Sequence, residues 1–89
     1  MMYQFMQLDD ETEIVHSEIL EGDVVKVYME QPIFQGFNSA TCYLPTYKWE
    51  NIEGFTAEQI TKLEEIIRST AHLIIRFASE GGFDNASSF

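Results

Sequence analysis

A long amphipathic segment near the C-terminus, "TAEQITKLEEIIRSTAHLIIRFASE", limits the folds open to this chain more than any other part of its sequence. Thr56 and Gln59 form a capping-box pattern at its start, and Gly81 and Gly82 suit a left-handed C-cap at its end. We expect one helix of about 24 residues, or about 36 Å, with an apolar stripe facing a core. That stripe comprises Ile60, Leu63, Ile67, Ala71, Ile74 and Ala78.

Four segments upstream have the composition of β-strands and are bounded by turn-forming residues. They are "MYQFMQL", "TEIVHSEIL", "VVKVYMEQ" and "FNSATCYL", at residues 2–8, 12–20, 24–31 and 37–44. The intervening "PIFQG" is predicted to be a connection, because proline cannot donate to a ladder. The predicted fold is therefore α+β: a four-stranded, mostly antiparallel sheet in the order ββββα, with one long C-terminal helix packed on one face. We expect a single domain over residues 1–83 and a flexible tail over residues 84–89.

The hairpin between the second and third segments allows two registers, which differ in the side chains that share a face. A three-residue loop places His16 opposite Tyr28 on the outer face and brings Glu18 to a lysine. A two-residue loop would instead set Glu18 against Val27. The longer loop is favoured, because opposite charges and aromatic neighbours stabilise cross-strand pairs.

Size and charge narrow the class of protein. With 89 residues the chain has room for one small domain, and a hydrophobic content of 45% predicts that it folds. Fifteen acidic side chains against five basic ones give a net charge of -10. Such a surface disfavours direct nucleic-acid binding and anionic membranes, since both depend on Lys and Arg. No apolar run approaches the roughly 20 residues that a membrane-spanning helix needs.

The lone cysteine, Cys42, and the absence of a signal-peptide pattern favour the reducing cytoplasm. Cys42 with a histidine would be the minimal nucleophile and base. However, we expect Cys42 to face the helix, His16 to lie on the opposite sheet face, and His72 to lie on the polar side of the helix. The three groups would then lie on three surfaces, which predicts no catalytic site. The common cofactor-binding motifs are also absent, so no cofactor is predicted.

The acidic run "DDETE" at residues 9–13 is the remaining candidate for metal chemistry. A dedicated calcium loop needs spaced oxygen ligands and a glycine at its sharp turn, and this run has neither. It is therefore interpreted as a solvated hairpin turn, and no metal site is predicted.

Aromatic side chains concentrate in and after the fourth segment. One interpretation has "PTYKWENIEGF" folding across the edge of the sheet and helix, with Trp49, Ile52 and Phe55 capping the core. The other is a binding face, because tyrosine and tryptophan combine large contact area with a polar group. Candidate interaction residues on the sheet and on one helix flank are Tyr28, Tyr43, Tyr47, Trp49, Ile66, Leu73 and Phe77.

These observations favour a non-enzymatic protein-interaction or regulatory module, with a protein partner or a second copy of itself in a homodimer. A first alternative is an acidic, antitoxin-like or nucleic-acid-mimicking neutraliser of a basic partner, whose association would be electrostatically steered. A second alternative is a small enzyme that uses Cys42 or a carboxylate.

Overall fold

The computed structural model describes residues 1–81 as an antiparallel sheet with one C-terminal helix. The elements are β1 (Met2–Gln7), β2 (Glu13–Ser17), β3 (Val25–Ile33), β4 (Gly36–Leu44), β5 (Lys48–Glu53) and α1 (Ala57–Glu80). The strands follow one another across the sheet in chain order. The α+β class, the antiparallel sheet and the C-terminal helix are confirmed, but the expectation of four strands is wrong, because the sheet formed by the described residues has five. The end of the predicted domain and its tail, residues 82–89, lie outside the described residues.

Helix α1 has the ends that its sequence predicts. The Thr56 hydroxyl accepts from the Gln59 backbone N–H at 3.1 Å, and the Gln59 side chain accepts from the Thr56 N–H at 2.8 Å, which completes a capping box. At the C-terminus Gly81 has a φ of 85° and donates its N–H to the Phe77 carbonyl. Glycine adopts this left-handed conformation without steric cost.

Strand β5 occupies a segment for which no strand is predicted. It pairs with β4, and the register shifts between Ser39 and Thr41 of that partner. Asn51 has a φ of 53°, so the alternation of inward and outward side chains breaks within β5. Phe55 is buried as expected, but Ile52 is 45% exposed and does not cap the core.

The core lies between α1 and one face of the sheet, which we call the inner face. The alternate residues of β3 and β4 that point to it are at most 1% exposed, and α1 covers them with its stripe of buried side chains. On the sheet these residues are Val25, Val27, Met29, Ala40, Cys42 and Leu44, and on α1 they are Leu63, Ile67, Ile74 and Ala78.

The hairpin of β2 and β3 has the favoured three-residue loop but not the register expected from it. Leu20 and Val24 close the loop as an isolated bridge. Further along the ladder, however, His16 lies opposite Val27, one residue out of step with the expected pairing to Tyr28. Four residues of β2 and its extension therefore span three on β3, as in a β-bulge. This bulge moves His16 from the outer face to the inner face, so the predicted position of His16 is wrong.

Side chains around the bulge supply hydrogen bonds that the interrupted ladder lacks. The Ser17 hydroxyl accepts from the Lys26 backbone N–H at 2.9 Å and donates to the Glu18 carbonyl at 2.7 Å. His16 Nδ1 donates to the Ser17 carbonyl at 2.8 Å. Because buried backbone groups need partners, these bonds account for a bulge at this position.

Candidate functional site

Cys42 lies at the centre of the inner face and is fully buried. Burial, with a smaller contribution from the nearby Glu64 carboxylate, raises the pKa of this thiol to about 11. The nucleophilic form of cysteine is the thiolate, so a buried thiol with a raised pKa is a poor nucleophile near neutral pH. The expected orientation of Cys42 toward the helix is confirmed, and its surroundings are those of a core residue.

His16 shares the inner face with Cys42, contrary to the expected separation on opposite faces. The two residues lie in one row across the sheet, with Val27 between them. Two strand spacings separate them, or about 10 Å, which is too far for proton transfer between imidazole and thiol. His72 is exposed on α1. The geometry therefore does not assemble a cysteine and histidine pair, although the reason differs from the one expected.

The His16 ring is enclosed by aromatic neighbours. Its centroid lies 5.7 Å from that of Tyr3 and 6.3 Å from that of Phe5, and its Nε2 atom is buried with no hydrogen-bond partner in the described part of the chain. We interpret His16 as a packed core residue that supports the β2 bulge.

The acidic turn between β1 and β2 has a structural role. Asp10 Oδ1 accepts from the Thr12 backbone N–H at 3.0 Å, which closes the turn before β2. Among residues 1–81, no group of three or more His, Cys, Asp or Glu side chains is placed to hold a metal ion. Over the same residues, α1 is too polar to cross a membrane.

Two of the candidate interaction residues, Tyr47 and Trp49, contact α1. Trp49 Nε1 donates to Glu64 Oε1 at 2.7 Å, and Arg68 Nε donates to the other oxygen of the same carboxylate at 3.0 Å. The Arg68 guanidinium lies 3.9 Å from the centroid of the Tyr47 ring, within the range of a cation–π contact. The two hydrogen bonds lower the pKa of Glu64, and the one from Trp49 contributes more than the one from Arg68. These four side chains join β5 to α1.

The predicted helix flank of Ile66, Leu73 and Phe77 is half-buried. The Phe77 ring lies 6.1 Å from that of Phe5 on β1, and Ile66 packs against the core. Strand β1 thus covers part of this flank of α1.

The remaining candidates, Tyr28 and Tyr43, point away from α1 on the outer face of the sheet. In the described chain no other element packs on this face. Both rings are half-buried by their neighbours, and Tyr28 donates its hydroxyl to Glu30 Oε2 at 2.9 Å. Desolvation raises the pKa of Tyr28, and the neighbouring Glu30 raises it as well. Desolvation also raises the pKa of Tyr43, with a further contribution from Glu50. Both phenols are therefore neutral hydrogen-bond donors near neutral pH.

The charges on the outer face are separated along the strands. At one end Glu13 lies directly opposite Glu30, and Glu53 follows in the same row beyond Ser39. At the other end, four residues or about 13 Å away along β3, the row contains Lys26. We call Glu13, Glu30 and Glu53 the acidic row.

A two-stranded arm extends beyond the acidic row, in a segment that the sequence predicts to be a connection. Residues 31–38 of β3 and β4 pair only with each other, since the ladder with β2 ends at Glu30 and that with β5 ends at Ser39. Three residue pairs extend the arm by about 10 Å. Its large apolar side chains are exposed, with Ile33 at 48%, Phe34 at 90% and Phe37 at 60%.

A pocket of about 160 Å³ lies at the same end of the molecule, between the turn joining β1 to β2 and the first half of α1. Its lining is mainly apolar, but it includes the buried Thr12, whose Oγ1 atom has no hydrogen-bond partner among the described residues. The residues that line it are Leu8, Asp10, Thr12, Phe55, Gln59, Lys62, Leu63 and Ile66. Gln31 at the base of the arm donates to the Asp10 carbonyl at 3.3 Å, which joins the arm to the wall of the pocket.

Comparisons with known proteins found no match for this chain among family models, curated proteins or solved structures.

Proposed function

We propose that this chain is a non-enzymatic protein-interaction module whose outer sheet face binds a basic segment of a partner protein. The buried thiol of Cys42, separated from His16 by a strand, argues against nucleophilic catalysis. A chain whose one cysteine is buried and has no partner for an intrachain disulfide suits the cytoplasm, where we propose that the protein is located.

The observation that carries the proposal is the acidic row. Like charges directly opposite each other destabilise an antiparallel pair, yet Glu13 faces Glu30. A cationic side chain placed between these carboxylates would offset their repulsion and bind in the process. The net charge of -10 would also accelerate encounter with a basic partner.

Two tyrosines supply the rest of the surface: Tyr28 lies next to the acidic row, and Tyr43 lies at the other end of the outer face, between Lys26 and Lys48. Tyr28 and Tyr43 offer ring faces to aliphatic stems or guanidinium groups, and their neutral hydroxyls can hydrogen-bond. Because this face is wider than the acidic row, an arginine-rich segment suits it better than an isolated cation. Nucleic acids and anionic membranes are excluded as partners in this proposal, since the same charges repel them.

The test uses an oligoarginine peptide as the probe and follows the protein's backbone amide signals by NMR. We expect the shifts to concentrate in β2 to β5 and the affinity to fall as salt is added. The double variant Glu13→Gln/Glu30→Gln should weaken binding by about fivefold or more.

The matched control is Glu58→Gln/Glu65→Gln, which removes the same charge from exposed positions on α1. It should weaken binding by less than about twofold. If both double variants weaken binding equally, or if the amide shifts spread over α1, the probe senses only the net charge and the outer face is not a site.

A further inference from the structure

We propose that two copies of this chain form a reciprocal dimer in which the Phe34 ring of each arm enters the pocket of the other copy. The surfaces involved are distinct from the acidic row, so this proposal does not depend on the binding of a basic partner.

The pocket has the size and lining that an aromatic ring requires. A cavity of about 150 Å³ lined by leucine, isoleucine and phenylalanine side chains holds a benzene ring. Here the volume is about 160 Å³, and Leu8, Phe55, Leu63 and Ile66 line it. Its two charged residues, Asp10 and Lys62, have polar groups that can stay in water while the ring is buried.

The arm has the exposure and position needed to reach a second copy. Phe34 is 90% exposed, so it does not fill the pocket of its own chain. The arm and the pocket lie at the same end of the molecule, joined by the Gln31 contact to Asp10. A twofold axis past this end therefore allows two copies to exchange rings in a closed, isologous contact.

The exposed apolar area supports a weak dimer. Large aromatic side chains bury about 150 to 250 Å² each, and Phe37 and Ile33 flank Phe34 on the two faces of the arm. Two arms and two pockets would bury on the order of 1,200 Å² in total, which is the lower end of the range for specific interfaces. We therefore expect dissociation in the micromolar range.

Because each copy carries a charge of -10, salt should strengthen this dimer, whereas salt weakens binding to a basic partner.

The first experiment is analytical ultracentrifugation of the intact chain from about 10 µM to about 1 mM at two salt concentrations. We expect a monomer–dimer equilibrium that shifts toward dimer in higher salt. Phe34→Ala should raise the dissociation constant by about a hundredfold or more, because each dimer loses two anchoring rings. Ile75→Ala, which truncates an exposed apolar side chain on α1, should leave it within about twofold.

The second experiment asks where the ring binds. In a mixture of isotope-labelled and unlabelled chains, intermolecular NOEs should connect the Phe34 ring to the methyl groups of Leu63 and Ile66. Lys62→Trp, which places a large ring at the exposed edge of the pocket, should abolish these NOEs and the dimer together. The proposal is overturned if the chain stays monomeric at the highest concentration, or if it forms open-ended oligomers instead of a dimer. It is also overturned if the dimer survives Phe34→Ala, or if the NOEs connect Phe34 to another surface.

Discussion

Gly54, at the turn between β5 and α1, requires a backbone conformation that other residues rarely adopt. Its φ is 86°, and a Cβ added there would collide with the amide of Asn38. We expect Gly54→Ala to lower the free energy of unfolding by about 1 to 3 kcal/mol, through the left-handed φ and the clash together. Urea denaturation followed by the fluorescence of Trp49, the only tryptophan, measures this change.

Gly36 provides the matched control. No atom lies within 4 Å of a Cβ added there, and its φ is not in the left-handed region. Gly36→Ala should therefore change stability by less than about 0.5 kcal/mol. Equal effects of the two substitutions would show that the Gly54 turn is not constrained as described. The Asn38 amide donates to Gln31 at 3.1 Å, so a shift at Gly54 should also loosen the base of the arm.

The contrast between Cys42 and His16 shows how far residue positions follow from the sequence. The regular alternation of β4 correctly predicts that Cys42 is buried against the helix. His16 is misplaced because its side depends on a one-residue bulge, and that bulge depends on hydrogen bonds made by Ser17. A slip of one residue moves a side chain to the other face, so alternation within β2 was insufficient to predict it.

At the scale of elements, Glu64 joins α1 to β5 through its hydrogen bonds from Trp49 and Arg68. Glu64→Gln keeps an acceptor for Trp49 but removes the charge that faces Arg68. We expect it to cost about 0.5 to 1.5 kcal/mol near neutral pH, because the side chain is partly exposed to solvent. Glu65→Gln, at the exposed neighbouring position, should cost less than about 0.5 kcal/mol.

The cost of Glu64→Gln should depend on pH in a defined direction. The pKa of Glu64 is lowered in the folded chain, so its contribution to stability is complete above the ordinary value of 4.5 and is lost as pH falls through the folded pKa. A protonated Glu64 resembles glutamine, so the gap between the two unfolding curves should close in acid. A gap that stays constant down to about pH 3 would contradict this assignment.

Element type was predictable where the periodicity was long and unbroken. The 24 residues of α1 carry a continuous stripe and a capping box, and β3 alternates cleanly over its buried part, whereas in β4 Thr41 is buried together with the inward-facing Ala40 and Cys42. The sequence does not predict strand β5, because the left-handed Asn51 interrupts its alternation. The sequence predicts a connection in place of the arm, because proline is typical of a turn or an edge strand; in the structure Pro32 lies on β3 beyond the end of its ladder with β2.

At the scale of the whole molecule, both candidate surfaces contain features that do not stabilise the fold. The arm exposes apolar side chains, and the acidic row brings like charges together. The exposed apolar side chains of the arm bury little surface on folding, so they contribute little to stability. A two-stranded hairpin is also only marginally stable by itself. The acidic row similarly repels itself. A pattern that contributes to folding can be read from the sequence, whereas these features become visible only when the register of all five strands is known.

The net charge of -10 gives a prediction for the whole molecule that needs no partner. Self-repulsion destabilises a compact, highly charged state, and salt screens it, so the free energy of unfolding should rise between about 0.02 M and about 0.5 M sodium chloride.

Glu13→Gln/Glu30→Gln should raise the free energy of unfolding at low salt by about 0.2 to 1 kcal/mol and reduce its response to salt, because the double variant removes carboxylates that face each other. Glu58→Gln/Glu65→Gln removes the same charge from α1 and should gain less. Equal gains from the two double variants would mean that the repulsion is spread over the surface, and the acidic row would then have no special cost for a partner to relieve.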